Sequence, residues 1–484
     1  MPIEIDVLIV GAGPVGLFLA NECARRGLRW RLLEARSGQS EHSKALAIMP
    51  RTLEIFDMAG IVSPFLEIAN RVTSAAIITH GRTLARMQFT PEDSPYPFVA
   101  MVPQDVTERL LLEQLQRKSG EVDYETAFVS AVQHEDHVSV TVDQRGEHVE
   151  LTAAFVVGCD GAHSTVRHLL NLPFEGGQYH DTFLLADVET NETLPADEMQ
   201  LCPNESGPLA IFPMSATRRR IVATTENAKD ERPSLEVVRE LLALRAPGGI
   251  EARALLWSSY FHIHHRQVAQ LRARRIFVAG DAAHIHSPFG AQGMNTGLQD
   301  VWNLVWKLDL TARDHGSEEL LESYTAERRP VIKHVIDITD FMTKAMGTPS
   351  KLAQALRNTV IPVVSRLAPF QHAFVQTLSE LGISYRGSPI VEGAGKRHFD
   401  SSVRGGKGIL SRFLLLVGED AESATVEAAR QLAGSFLEIV ELRFVPGEHV
   451  TLVRPDGYTA YAAHNRHSIA ALASVRSLLE RQTS

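Results

Sequence analysis

Short unbroken apolar runs, each stopping at or near a glycine, recur along this chain. Val7–Val10, Phe155–Val157 and Ile276–Val278 are such runs, and they read as strands buried on both faces of a parallel sheet. The first is followed by Leu17–Gly27, where Leu17, Leu19, Ala20 and Ala24 fall on one helical face. Arg29–Leu33 then reads as a second strand that ends in Glu34. Thr107–Lys118 has helical spacing. Residues 120–160 alternate apolar and polar, as in His137–Val142, and predict hairpin strands. Ala75–Thr79 and the stretch from about 176 to 270 are strand-rich, forming a second sheet. Thr296–Leu310 opens a run of long helices. Residues 346–390 are helical, with breaks expected at Pro349, Pro362 and Pro369. Gly393–Gly395 marks a linker. A new strand at Phe413–Val417 and a helix at Ala424–Leu432 predict a separate α/β unit at the end.

The 484 residues suit roughly three domains at about 150 residues each. Hydrophobic residues make up 44% and charged residues 22%, which excludes wholesale disorder and fibrous repeats. With 48 Lys+Arg against 58 Asp+Glu the net charge is −10, so nucleic acid is not an expected partner. The basic cluster Arg218–Arg220 is expected to be solvated. Cys23, Cys159 and Cys202 form no CxxC and no metal-ligand spacing. They fit a reducing cytosol, and no metal is expected. No apolar run approaches the ~20 residues that span a bilayer, so no membrane partner is expected. The start has no basic stretch ahead of a long apolar core, which argues against a secretory signal.

The segment Gly11-Ala12-Gly13-Pro14-Val15-Gly16 sits between strand and helix. Gly11 allows a tight turn, Gly13 lets backbone approach a pyrophosphate, and Gly16 lets helix and strand pack closely. The free N–H groups at the helix start attract the anion. Glu34 can bind ribose hydroxyls and repels an extra phosphate, so the nucleotide is FAD or NAD rather than NADP. This motif alone does not separate those two.

Two further segments do. Cys159-Asp160-Gly161-Ala162-His163-Ser164-Thr165-Val166-Arg167 follows one apolar strand. Gly280-Asp281-Ala282-Ala283-His284-Ile285-His286-Ser287-Pro288-Phe289-Gly290-Ala291-Gln292-Gly293-Met294-Asn295 follows another. With Pro50–Glu54, Val102–Asp105, Glu327–Pro330, Ser379–Tyr385 and Leu452–Gly457, they resemble the single-component FAD-dependent aromatic hydroxylases of the p-hydroxybenzoate hydroxylase fold. The branch resembled is the one with a C-terminal thioredoxin-like domain, which includes phenol hydroxylase-like and polyketide hydroxylase-like enzymes.

The resemblance implies an α/β fold: a Rossmann-type FAD-binding domain, an inserted β-sheet substrate domain and a C-terminal thioredoxin-like α/β domain. The FAD-binding part would comprise 1–75, 101–175 and 271–345. The substrate domain would be 76–100 and 176–270, followed by a helical connector at 346–390 and the thioredoxin-like domain at 391–484. The resemblance also implies roles. Gly11, Gly13, Pro14, Val15 and Gly16 would hold the FAD pyrophosphate and Glu34 the adenosine ribose. Lys44, where many relatives have Arg, would lie near the flavin. Arg51 and Gln104 would contact the cofactor, Asp160 would serve FAD and the nicotinamide, and Asp281 would bind the ribityl chain. Pro288 and Gly290 would sit beside the isoalloxazine, with Gly293, Met294 and Asn295 at its pyrimidine edge.

The implied reaction is hydroxylation of a phenolic or polycyclic aromatic with O2. NADPH or NADH would be a transient co-substrate, since the sequence has one GxGxxG, and oxygen would transfer through a flavin hydroperoxide. Baeyer–Villiger insertion or epoxidation on the same scaffold is an open alternative. A flavin-bound protein that sequesters a ligand without turnover is another. No catalytic base is singled out among His42, Lys44 and Tyr179–Asp181, and substrate contacts are expected around Leu209–Phe212 and Ile221–Thr224. His262, His264 and His265 read as ordinary strand residues, His284 and His286 as satisfied loop histidines, and Trp302 and Trp306 as packing. The last 90 or so residues have no cysteine, which excludes a dithiol role there and leaves packing or a homodimer.

Overall fold

The computed structural model describes residues 3–39, 45–89, 93–191, 194–225, 232–346, 350–406, 410, 412–447, 449–464 and 468–483. Four sheets organise the chain. In the first, Trp30–Leu33, Ile5–Val10, Glu147–Gly158 and Ile276–Val278 lie side by side, all parallel. Their apolar residues are buried on both faces, as the unbroken runs predict. Register aligns Leu33, Val10, Gly158 and Val278 at one edge. The three segments that follow Val10, Gly158 and Val278 therefore begin at the same, carboxyl-terminal edge of the sheet. In open α/β sheets this is where ligands bind. The hairpin strands Thr126–Gln133 and Val138–Gln144 extend the sheet through Glu147–Gly158.

Two helices cover this sheet near that edge. Pro14–Arg26 stops at Gly27, which takes the left-handed conformation (φ 72°). Gly293–Ala312 packs against it, with the Phe18 and Trp302 rings stacked at 6.1 Å. Trp302 and Trp306 are buried, as expected of packing residues.

An eight-stranded sheet forms the second layer, and Ser74–Thr79 and Arg82–Gln88 are the last two strands at one of its ends. Its longest strands, Phe174–Thr190 and Ala252–Val268, pair with each other near the opposite edge. The sequence pattern missed the helix Leu235–Arg245, which buries Val238, Leu241 and Leu242 against one face of this sheet. The opposite face, with Phe183, Leu185, Phe212 and Val222, looks toward the flavin-type loop. Ala47–Ile48, Asn70–Val72 and Val99–Met101 make a small third sheet between the layers.

Pro349 lies outside the described residues. Pro362 does not break a helix: it lies inside Lys351–Val364, which forgoes one N–H bond at that position. Pro369 opens the helix Ala368–Leu378. The last sheet has Phe413–Gly418 at its centre, parallel to Val440–Val445 and antiparallel to His449–Val453, which pairs with Thr459–His464. The helices Ser423–Ser435 and Ser468–Gln482 accompany it. Among the described residues no helix is long and apolar enough to cross a membrane.

Candidate active site

The three glycines of the first motif have distinct physical roles. A Cβ on Gly11, whose φ is +99°, would stand 2.6 Å from the Cys159 carbonyl oxygen; one on Gly16 would stand 1.9 Å from the Gly11 carbonyl oxygen. Both positions exclude side chains because the turn, the helix and the neighbouring strand touch there. A Cβ on Gly13 would meet nothing within 4 Å. Gly13 caps the helix Pro14–Arg26, so the open space lies at a helix N-terminus, the cradle a pyrophosphate requires.

Glu34, at the end of the second strand, is buried. It accepts hydrogen bonds from the Ala12 N–H (3.0 Å) and from the Arg36 backbone and side chain (3.0 and 2.9 Å). Burial pushes its carboxyl upward, but those hydrogen bonds outweigh it and hold the group below the usual range. Asp160 is oriented by the helix it precedes, accepting from Ser164 Oγ (2.6 Å) and from the N–H groups of Thr165 (2.7 Å) and Val166 (3.2 Å). Asp281 is exposed on the single 3-10 turn Gly280–Ala282. Gln104 accepts from the Ala45 N–H (3.1 Å) and donates to Glu108 (3.0 Å).

The flavin-type loop is clamped from beneath. Asp300 accepts from His284 Nε2 (2.7 Å), from the Gly280 N–H (3.2 Å) and from Arg328 Nε (2.8 Å). Burial raises the Asp300 carboxyl, but the Arg328 and His284 charges prevail and hold it low. Arg167 joins two motifs, donating to the carbonyls of Ala282 (3.0 Å) and Ala162 (2.9 Å) with its guanidinium over Phe174. His284 is bonded at Nε2 to Asp300, while its buried Nδ1 has no protein partner, so the expectation of a satisfied ring holds at one nitrogen only. His286 is satisfied on one side only: its Nδ1 bonds the Ser287 carbonyl (3.0 Å), while buried Nε2 has no protein partner and lies 3.5 Å from where a Gly293 Cβ would be. Burial depresses its pKa to about 4, so the ring is neutral at ordinary pH. The open space at Gly13 and this buried acceptor at the start of Gly293–Ala312 fit a dinucleotide with a polar ring edge.

Several expectations need correction. Arg51 does not face this edge. It is fully buried beside the C-terminal sheet, pairs with Glu54 (3.0 Å), donates to the Asp456 carbonyl (3.3 Å) and lies over the Tyr458 ring at 4.8 Å. The side chain of Asn295 is likewise spent on backbone: it accepts from the Met49 N–H and donates to the carbonyls of Ala47 and Ala291. A ring edge there would meet its backbone instead. In Arg218–Arg220 only Arg218 is exposed. Arg220 is buried, bonded twice to Asp187 (2.7 and 2.8 Å) and once to the Ala45 carbonyl (2.9 Å). The pairing strand supplies Asp187, a partner that spacing cannot show. His42 and Lys44 lie outside the described residues, as do the side chains of Tyr179, His180 and Asp181. Pro14, Val15, Pro288, Gly290, Gly293 and Met294 all stand along the described edge and loop, and all but Gly290 are partly exposed.

Beside the loop lies a small apolar cavity of about 20 Å³. Gly290 and Ala291 form its floor, Ala75, Met199, Leu201 and Phe212 of the eight-stranded sheet its wall, and Met342 and Leu378 its roof. Phe212 was within the expected substrate stretch. Ile221 and Ala223 turn to the opposite face of the sheet, where they pack against the helix side. Among the described residues no group of three or more His, Cys, Asp or Glu is placed to hold a metal.

Residues 4–339 match the model of the FAD binding domain family. The 6-methylpretetramide 4-monooxygenase of Streptomyces rimosus is 34% identical over 417 residues, 82% of this chain and 73% of that protein. The rifampicin monooxygenase of Streptomyces venezuelae is 30% identical over 480 residues, covering 96% and 97%. Among solved structures, the anhydrotetracycline hydroxylase OxyS of Streptomyces rimosus superposes with a TM-score of 0.78 at 30% identity, covering 95% of each chain.

Proposed function

We start from the fact that this chain belongs to the FAD binding domain family, and propose that it hydroxylates a polycyclic aromatic substrate with O2 and NAD(P)H. It is a flavin-dependent aromatic monooxygenase. The observation that carries the substrate reading is the apolar cavity whose floor is the flavin-type loop itself. A ring compound bound there would lie against Gly290 and Ala291. The names of the relatives, which act on pretetramide, rifampicin and anhydrotetracycline, are consistent with a polycyclic of that kind.

Bound FAD would supply the acceptance of hydride from the nicotinamide and the activation of O2, one oxygen atom going to the ring and the other to water. The chain's own work is positional. Gly11, Gly13, Pro14, Val15 and Gly16 receive the pyrophosphate, and Glu34 and Asp281 the hydroxyls of the ribose and ribityl chain. The Asp300 clamp fixes the height of the loop, so that Pro288, Gly290, Gly293 and Met294 meet the ring system. The apolar walls exclude water from the reacting face. The cavity lining is apolar, so a ring that opened this small space would gain binding energy from the apolar area it buries.

The same reading covers the division of the chain set out above, with an FAD-binding part, a substrate sheet, a helical connector and a thioredoxin-like end. Strand order and the βαβ-β-β-α succession of the last sheet support the thioredoxin-like reading. A homodimer and a cytoplasmic location belong to the proposal as well. The test is anaerobic mixing of the yellow protein with NADPH or NADH, with and without a panel of phenols and polycyclic quinols. Ring-accelerated bleaching of flavin absorbance, followed by an oxygenated product in air, is the expected result. Ligand binding with no bleaching from either nucleotide would overturn the reading in favour of a ligand-sequestering flavoprotein.

A further inference from the structure

Methionine is unevenly placed in this protein. Of the ten in the chain, Met49, Met101, Met199, Met214, Met342 and Met346 pack in the one apolar cluster that surrounds the cavity. The much larger cluster beneath the nucleotide edge includes Met58 and Met294. Among the described residues, the clusters of the C-terminal sheet and of the helix side of the eight-stranded sheet include none. Methionines used as general packing would follow the size of each cluster, and these do not. Three of the six line the cavity itself. Met199 comes from the sheet wall, Met342 from the roof helix Glu318–Met346, and Met49 from the residue just ahead of the helix Pro50–Met58.

The cavity as it stands has room for about one water, whereas sites for multi-ring compounds run to at least about 300 Å³. A fused-ring ligand therefore enters only if lining atoms give way. The backbone around them is held. The strand of Met199 is paired on both sides, with Ser74–Thr79 and with Leu209–Pro213. The Met49 N–H donates to Asn295 Oδ1 (2.9 Å). Next to Met342, the Thr343 hydroxyl bonds the Ser287 hydroxyl (2.8 Å) and ties the roof helix to the flavin-type loop. What remains free to yield is side chain. Methionine is unbranched, turns about three bonds, and carries a polarisable sulfur that favours contact with aromatic ring edges. Met101, Met214 and Met346 give the same freedom to the layer behind. We propose that Met49, Met199 and Met342 determine specificity by yielding. They reshape one cavity around planar fused-ring aromatics of different outline, so that the site accepts several such compounds rather than one. This assignment rests on the cavity being the aromatic site proposed above.

The test is equilibrium dialysis of the FAD-loaded chain, without nicotinamide, against 2-hydroxyanthracene and 2-hydroxyphenanthrene. These isomers hold the same atoms, one in a straight outline and one in a bent outline. The parent should bind both, with dissociation constants within about ten-fold of one another. The double variant Met199→Ile, Met342→Leu keeps apolar volume and removes side-chain freedom. It should widen the ratio by about a further ten-fold, by losing the isomer that the stiffened lining does not fit. Met342→Leu alone, in a helix that favours leucine, should widen it about three-fold and guards against misfolding of the double variant. Ala75→Leu separates the two readings. If neither isomer binds the parent, or if Ala75→Leu leaves both affinities at the parent's values, the cavity is not the aromatic site and the methionine assignment falls with it. If Ala75→Leu weakens binding but the parent separates the isomers by more than about ten-fold, or the stiffened variants keep the parent's ratio, the methionine assignment alone is overturned.

Discussion

Two alanine substitutions three residues apart separate packing from cofactor binding. In Gly16→Ala the new Cβ stands 1.9 Å from the Gly11 carbonyl oxygen, where a carbon–oxygen contact needs about 3.3 Å. The helix must withdraw from the strand by more than 1 Å, or the Gly11 turn must open. Neither is cheap, because a Cβ on Gly11 would itself meet the Cys159 carbonyl, which shows how closely turn and neighbouring strand already pack. Overpacking costs about 1–3 kcal/mol, and the ~1 kcal/mol that Ala gains over Gly in a helix offsets only part when backbone meets backbone. A net loss of about 2 kcal/mol is expected. In Gly13→Ala the methyl group meets no protein atom, and φ −74°, ψ −175° suits any residue. Its stability cost is that of an N-cap change, about 1 kcal/mol or less. The methyl group stands instead where the pyrophosphate must approach. Urea unfolding of the cofactor-free proteins should show the larger shift for Gly16→Ala. Titration by quenching of flavin fluorescence should show at least about a ten-fold loss of FAD affinity, ~1.4 kcal/mol, for Gly13→Ala. The reasoning fails if Gly13→Ala binds FAD as tightly as the parent, or if Gly16→Ala unfolds at the parent's urea midpoint.

Asp300→Asn leaves Arg328 buried without its carboxylate and should cost about 3–5 kcal/mol by thermal unfolding; a loss under 1 kcal/mol would show that the clamp contributes nothing. Glu380 is buried, and burial pushes its carboxyl up to about 8 from an ordinary 4.5. The folded chain then holds a proton that the unfolded chain releases, so this group's contribution is complete below about pH 4.5 and is lost as pH rises through about 8. The slope in between is at most about 1.4 kcal/mol per pH unit. His286, lowered to about 4, contributes the opposite slope between about 4 and 6.5, so the clean window is about 6.5–8. Glu380→Gln should gain stability over the parent across that window and little at pH 5; a difference independent of pH would place the proton elsewhere. Ala75→Leu fills the cavity wall, and aromatic ligands should bind at least ten-fold more weakly while FAD affinity holds; equal losses in both would mean that the cavity is not the ligand site.

The nucleotide edge was legible because its signals are local. An apolar run, a glycine turn and an amphipathic helix lie within 25 residues at Ile5–Arg26, and the other two motifs repeat that logic at Gly158 and Val278. Parallel pairing then sets all three in one register, which no single segment encodes. The interior of the cavity was legible only as a strand-rich stretch. Whether Phe212 or Ile221 faces the loop depends on strand alternation and register, and a shift of one residue reverses the answer. Arg51 and Arg220 were misread for a related reason. A buried arginine looks like an exposed one in sequence: the Asp456 carbonyl that Arg51 meets lies 405 residues away and Asp187, the partner of Arg220, 33 residues away.

Long-range charge pairing also explains how the C-terminal sheet belongs to the active site without touching it. Glu327 accepts from Lys307 Nζ (2.8 Å), Asn303 Nδ2 (2.7 Å), Ser388 Oγ (2.6 Å) and both Nη atoms of Arg454, which also bonds Asp456; all are buried. Two cations and two carboxylates balance there. Burial pushes the Lys307 ammonium down to about 8, with Glu327 opposing the fall. Nonpolar residues of equal volume could be as stable, so the network's distinctive effect is on position: it is satisfied in one docking geometry and heavily penalised in a slipped one. The Asp456 carbonyl extends it by accepting from Trp302 Nε1 (2.9 Å), one ring away from Phe18 on the nucleotide helix. Asn303, Lys307 and Trp302 all belong to the helix whose first turn, at Gly293 and Met294, faces the flavin-type loop. The network ties the C-terminal sheet to the middle of that helix, and the Asp300 clamp, one turn nearer its start, holds the loop itself. Arg51, read from sequence as a cofactor ligand, belongs to this anchor instead.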